Sequence, residues 1–146
     1  MLTVVIPSYN DAKNIPLAIA SANQIKYVDE IIVVDDCSTD DTEFTIKEIA
    51  VNCKKIKYLK NSDNLGSGLS FLEGLQNLNN SYVIMLNSDD FFIPNSIEKL
   101  FEYTVSNKLD LGYGRMGIKK KAGIHKYTHP GYKENSYIDN RNELLD

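Results

Sequence analysis

At 146 residues, 42% of them apolar and 25% charged, the chain has the length of one domain and can bury a core without disulfide or metal staples. Mean hydropathy of −0.30 and the want of any apolar run near 18 residues exclude a disordered chain and a membrane-spanning one. The net charge of −4 hides an asymmetry: Arg115, Lys119, Lys120, Lys121, Lys126 and Lys133 stand in an acid-free stretch that leaves −10 for the remainder, which excludes a broad nucleic-acid-binding face and leaves one local basic segment.

Taken in order, the elements alternate between two hydrophobic periods. Unalternated apolar runs at 2–6 (LTVVI), 31–34 (IIVV), 56–59 (IKYL) and 82–86 (YVIML), with a weaker one at 109–113 (LDLGY), predict strands buried on both faces, as in a parallel sheet. Helical spacing falls between them. Ile15, Ala18, Ile19, Ala22 and Ile25 predict a first helix, with Pro16 tolerable in its first turn. Ser38 to Asp41 offers a capping-box-like start to a second, whose apolar face is Ile46, Ile49, Ala50 and Cys53. Leu69, Leu72, Leu75 and Leu78 mark a third. Pro94 opens a fourth with Ile97, Leu100, Phe101, Thr104 and Val105 inward. This βαβαβαβαβ order predicts a doubly wound α/β domain with its ligand beyond the carboxyl ends of the strands. Residues 115–146 are polar and aperiodic and read as a loop or hairpin excursion. Cys37 and Cys53 lack metal-ligand spacing and read as reduced thiols. With no basic leader or cleavage site before Leu2–Ile6, a cytoplasmic chain is expected.

Three polar clusters follow the strands: Pro7-Ser8-Tyr9-Asn10, Asp35-Asp36-Cys37-Ser38 and Asn87-Ser88-Asp89-Asp90. Neither G-x-G-x-x-G nor a P-loop follows the first strand, so no glycine cradle holds phosphate there. A hard divalent cation bridging carboxylates and phosphate oxygens is the other way to hold a diphosphate, and Asp89 and Asp90 supply such oxygens. A lone Asp after a strand is usually a turn or cap residue, and Asp35 fits that role. Adjacent carboxylates at Asp89 and Asp90 call for a cation or donor to offset their repulsion.

The segments VVIPSYN (4–10), IIVVDDCSTDDT (31–42), NLGSGLSFLEGL (64–75) and LNSDDFFIP (86–94) resemble the successive motifs of the family 2 glycosyltransferases with the Rossmann-like GT-A fold, a mostly parallel sheet with helices on both faces. The resemblance implies a nucleotide-sugar-binding core over 1–114 and, over 115–146, the start of an acceptor half, cut short. It implies that Pro7, Tyr9, Asn10, Asp36 and Ser67 bind the nucleotide, Tyr9 by stacking on the base and Asp36 by accepting the imide N–H of uracil or thymine. Asp89 and Asp90 would hold Mn²⁺ or Mg²⁺, and Asn87 and Asp89 would reach ribose or donor sugar. The implied activity is sugar transfer from a nucleoside diphosphate sugar, a UDP-sugar, to an acceptor hydroxyl with inversion, in polysaccharide biosynthesis. The acceptor would be a saccharide or a lipid-linked one, and the site would be cytoplasmic or peripheral to the inner face of a membrane. No transmembrane segment and no nucleic-acid partner are implied.

The departures are specific. Asn87 stands where the family often has an Asp, and Ser67, Gly68, Leu69 and Ser70 are uncharged where a basic residue is usual. The basic segment 115–133 reads either as a solvated lysine-rich loop or as the source of the missing diphosphate contact. Glu134, Asp139 and Glu143 match no family motif, so none is assigned as general base. A non-catalytic nucleotide-sugar-binding module is the alternative reading. His125 and His129, broken by Pro130 and Gly131, are not expected to ligate metal, and Tyr113, Tyr127, Tyr132 and Tyr137 read as loop anchors.

Overall fold

The computed structural model describes residues 1–112 in full and, beyond them, the backbone of 117–120 and 123–126. Two units separate at Gly112. In the first, β1 (Leu2–Ser8), α1 (Ile15–Asn23), β2 (Val28–Asp35), α2 (Thr42–Asn52), β3 (Ile56–Lys60), α3 (Ser67–Leu75), β4 (Tyr82–Met85) and α4 (Pro94–Ser106) follow one another. The four strands form a parallel sheet in the order β3-β2-β1-β4. In the second, β5 (Gly117–Lys120) and β6 (Gly123–Lys126) pair antiparallel.

The continuous apolar runs become the two central strands because both of their faces are covered. Val4, Ile6, Ile31 and Val33 point into the larger core with Ile15, Ala18, Ile19 and Ala22 of α1 and Ile46 of α2, and Ile97 and Phe101 of α4 pack against it. Val5, Ile32 and Val34 point the other way, onto Phe71 of α3 and Leu78. Burying each such side chain contributes on the order of 1.5–3 kcal/mol, so these strands anchor the domain. Helices therefore lie on both faces, as expected of the fold class.

Four expectations are corrected. Residues 109–112 hold no strand. Instead α4 ends through Lys108 at φ 53, the Leu109 N–H donates to Thr104 O at 2.9 Å, and Leu111 is exposed. The apolar face of α3 is not the leucine row: Leu69 and Leu72 are half exposed, and Ser70 and Gly74 are buried. Gly74 allows this, since a Cβ there would meet Val5 Cγ1 at 2.3 Å. On α4, Val105 is exposed and only Thr104 is fully buried. Lastly, the α2 cap is Asp41 and makes no side-chain cap bond, while Ser38 serves the loop before it.

Candidate functional site

Parallel pairing brings the three polar clusters to one edge of the sheet, because β2, β1 and β4 end side by side. There a cleft of about 370 Å³ is lined by Pro7, Ser8, Tyr9, Asn10, Asp11, Asn14, Asp36, Ser67, Asn87, Ser88 and Asp89. Of the residues singled out in the sequence, Pro7, Tyr9, Asn10, Asp36, Ser67, Asn87 and Asp89 meet in this cleft. Asp90 does not line it and stands exposed beside it.

Each loop is held by named bonds. Asp35 is fully buried and accepts from the Ser38 N–H at 2.9 Å and the Tyr58 hydroxyl at 2.7 Å, so it braces the loop as expected. Burial and this bond together keep the Tyr58 hydroxyl protonated far above the ordinary phenol range. Asp36 Oδ1 accepts from Asn61 Nδ2 at 2.8 Å and the Leu65 N–H at 2.9 Å, and Oδ2 from the Gly66 N–H at 2.7 Å. Burial opposes the charged form, but the donors at Leu65, Asn61 and Gly66 outweigh it and hold the carboxyl below its usual range. The buried Ser70 hydroxyl adds to these donors in holding the carboxyl ionised. Asp36 thus fastens the Asn64-Leu65-Gly66 turn and, through it, the start of α3 with Ser67, a second role that the sequence did not suggest.

Asn10 also has a structural task. It sits at φ 49, in the left-handed region that Asn tolerates, and its Oδ1 accepts from the Thr39 N–H at 2.8 Å while its own N–H donates to Ser38 Oγ at 2.9 Å. Asp11 N–H to Thr42 Oγ1 at 2.9 Å and Ala12 N–H to Asp40 Oδ2 at 3.2 Å complete the seam between the loops after β1 and β2. Tyr9, 49% exposed, presents its ring at the rim of the cleft. Cys37 has φ 64, and its Sγ donates to Ser62 O at 3.3 Å. Both cysteines are free thiols.

The segment after β4 closes a turn with the Asp90 N–H on Asn87 O at 3.1 Å, and Asn87 Nδ2 lies 3.4 Å from Asp90 Oδ2. Among the described residues no group of three or more His, Cys, Asp or Glu is placed to hold a metal ion. The chain therefore offers two adjacent carboxylates, hard oxygen donors of the type Mg²⁺ and Mn²⁺ choose, with further ligands left to a bound molecule and water. That donor set fits a cation shared with a diphosphate and does not fit a closed structural site.

Sequence reasoning placed Ser8 and Ser88 in the strand-end clusters without giving either a role, and it missed Asp11 and Asn14 as cleft residues. Asp11 and Asn14 directly follow the Tyr9-Asn10 pair and could have been included on position alone, whereas Ser8 and Ser88 look like ordinary strand-end serines. Arg115, Lys121, Lys133, His129, Glu134, Asp139, Glu143 and Tyr113, Tyr127, Tyr132 and Tyr137 lie outside the described residues, and Lys119, Lys120, His125 and Lys126 are described in backbone only. Among the described residues no helix is long and apolar enough to cross a membrane.

The four-stranded parallel sheet with helices on both faces and a cleft at its carboxyl edge is shared with solved structures of GT-A glycosyltransferases. The family described as glycosyl transferase family 2 matches residues 3–144, and the chain belongs to it. It is 38% identical over 112 residues to the uncharacterized glycosyltransferase RP339 of Rickettsia prowazekii, covering 75% of this chain and 33% of that one. It is 29% identical over 132 residues to the UDP-Glc:alpha-D-GlcNAc-diphosphoundecaprenol beta-1,3-glucosyltransferase WfgD of Escherichia coli, covering 89% of this chain and 51% of that one. Among solved structures, S. aureus TarS 1-349 in complex with UDP-GlcNAc superposes with a TM-score of 0.66 at 26% identity, over 73% of this chain and 32% of that one. The mannosyltransferase PcManGT from Pyrobaculum calidifontis, in complex with GDP-Man and Mn²⁺, shares the fold at TM-score 0.66 and 19% identity, over 70% of this chain and 32% of that one. The chain thus spans about a third of RP339 and about half of WfgD.

Proposed function

We propose that this chain binds the donor of a glycosyltransferase that moves sugar from a UDP-sugar to an acceptor hydroxyl, with a divalent cation and with inversion at the anomeric carbon. The observation that carries the reading is the meeting of Tyr9, Asp36 and Asp89 in one cleft at the carboxyl edge of the sheet. Tyr9 offers a face for the base. Asp36 lines the cleft, and a carboxylate held ionised is a strong acceptor for the imide N–H of uracil. Pro7, Asn10 and Ser67 fix the walls around the base and ribose.

Asp89 and Asp90 would hold Mn²⁺ or Mg²⁺ against the diphosphate. When bound, the cation supplies Lewis-acid neutralisation of the departing nucleoside diphosphate. Asn87 and Asp89 would contact ribose or donor sugar. The chain's own contribution is to orient the donor and hold its charge in place. The UDP-GlcNAc complex of TarS and the UDP-Glc named for WfgD support a uridine donor, and the diphosphoundecaprenol named for WfgD supports a lipid-linked saccharide acceptor.

Thermal unfolding with added nucleotide tests the donor assignment. A ligand at 100 times its dissociation constant stabilises by about 2.7 kcal/mol. UDP with Mn²⁺ is expected to raise the Tm by several degrees and GDP with Mn²⁺ by far less. An unchanged Tm with both contradicts the reading.

A further inference from the structure

Among the described residues, the one buried side-chain polar atom without a hydrogen-bond partner is the hydroxyl oxygen of Ser8. Ser8 is 3% exposed and lines the cleft. Buried hydroxyls are nearly always bonded, because one that forgoes water and finds no partner destabilises the fold. The polar groups that follow the neighbouring β2 are engaged elsewhere. Ser38 Oγ accepts from the Asn10 N–H, Asp35 is taken by the Ser38 N–H and the Tyr58 hydroxyl, and the Asp36 N–H goes to the Ser8 carbonyl at 2.8 Å, not to its hydroxyl.

The position of Ser8 says which part of a ligand it faces. It ends β1, which lies between β2 and β4 in the sheet. Asp36 follows β2, and Asn87 and Asp89 follow β4. On the nucleotide reading proposed above, the base is held on the Asp36 side and the diphosphate on the Asp89 side. In a nucleoside diphosphate the group joining those two parts is the ribose, which must then cross the end of β1. We infer that Ser8 is a ribose-recognising residue, its hydroxyl bonding a ribose hydroxyl of the bound nucleotide. Serine carries its hydroxyl on one rotatable bond with three staggered positions, so a single turn about Cα–Cβ carries it from its covered position toward the ligand.

The test is a titration of the chain and of Ser8→Ala with UDP, 2′-deoxy-UDP and 3′-deoxy-UDP in the presence of Mn²⁺, together with the Tm of both proteins without nucleotide. The unaltered chain is expected to bind UDP about tenfold more tightly than one of the deoxy analogues, the scale of one neutral hydrogen bond. Ser8→Ala is expected to lose that margin for UDP and to bind the same analogue as before. Its Tm without nucleotide should stay level or rise, since it sheds an unbonded polar atom. Unchanged discrimination in Ser8→Ala overturns the inference alone, as does an equal loss for all three nucleotides with a lowered Tm, which would mark Ser8 as structural. No binding of UDP by the unaltered chain overturns the nucleotide reading and this inference with it.

Discussion

Asp36 and Gly66 are joined by a 2.7 Å hydrogen bond from the Gly66 N–H to Asp36 Oδ2, and this bond ties the end of β2 to the start of α3. Gly66 takes φ 84 at the helix cap, a value natural to glycine, so the turn is shaped by backbone freedom and fastened by one carboxylate. The carboxylate that the family resemblance assigns to the base thus also builds the wall of the cleft.

Asp36→Asn keeps the size of the side chain but turns one of its acceptors into an NH₂ group facing an N–H donor. With Leu65, Gly66 and Asn61 all donating to Asp36, at least one partly buried donor is orphaned. The expected cost is about 1–3 kcal/mol. It should appear in urea unfolding as a lower midpoint at unchanged slope.

Acid should act on the same group. The folded Asp36 has its carboxyl below the usual range, so its stabilisation is complete above the unfolded pKa near about 4 and is lost as pH falls through the lower folded value. Stability measured between about pH 5 and pH 2 is expected to fall less steeply in Asp36→Asn than in the unaltered chain. Parallel curves would contradict this.

Asn10 separates backbone from side-chain effects. Asn10→Gly keeps the φ of 49 easily but removes the acceptor for the Thr39 N–H, whereas Asn10→Ala removes the acceptor and also strains the backbone. Both should destabilise, and Asn10→Ala by about 1 kcal/mol more, which chemical denaturation resolves.

The two glycines of α3 predict opposite signs. Gly74→Ala drives a Cβ to 2.3 Å from Val5 Cγ1 and should destabilise by about 1–3 kcal/mol. At Gly68 a Cβ meets nothing within 4 Å, so Gly68→Ala should stabilise the helix by about 0.5–1 kcal/mol. Thermal melts of the pair check both.

The β-branched runs of β1 and β2 were legible because a strand buried on both faces needs no alternation, and Val4–Ile6 and Ile31–Val34 are indeed inaccessible. The α3 face was misread because its close contact with the sheet is made by Gly74 against Val5, and a glycine carries no hydrophobic signal. At 109–113, two leucines resembled a strand, yet Asp110 and Gly112 are poor strand formers, and Gly112 sits where a Cβ would reach Thr104 Oγ1 at 2.3 Å. The site was legible as far as strand ends could be read. Parallel strands deliver their carboxyl-end residues to one edge, which is why Tyr9, Asp36 and Asp89 meet. The bracing by Asn10 and the unbonded hydroxyl of Ser8 depend on which partners the fold supplies, and no residue pattern carries that.

The central claim is that the cleft holds a uridine diphosphate through a cation on Asp89 and Asp90. Isothermal titration of the chain with UDP, with and without Mn²⁺, against the double variant Asp89→Asn, Asp90→Asn tests it most directly. Binding that tightens about tenfold or more with Mn²⁺ in the unaltered chain, and loses that gain in the variant, is the expected result. No binding of UDP, or a Mn²⁺ dependence that survives both substitutions, would contradict the account.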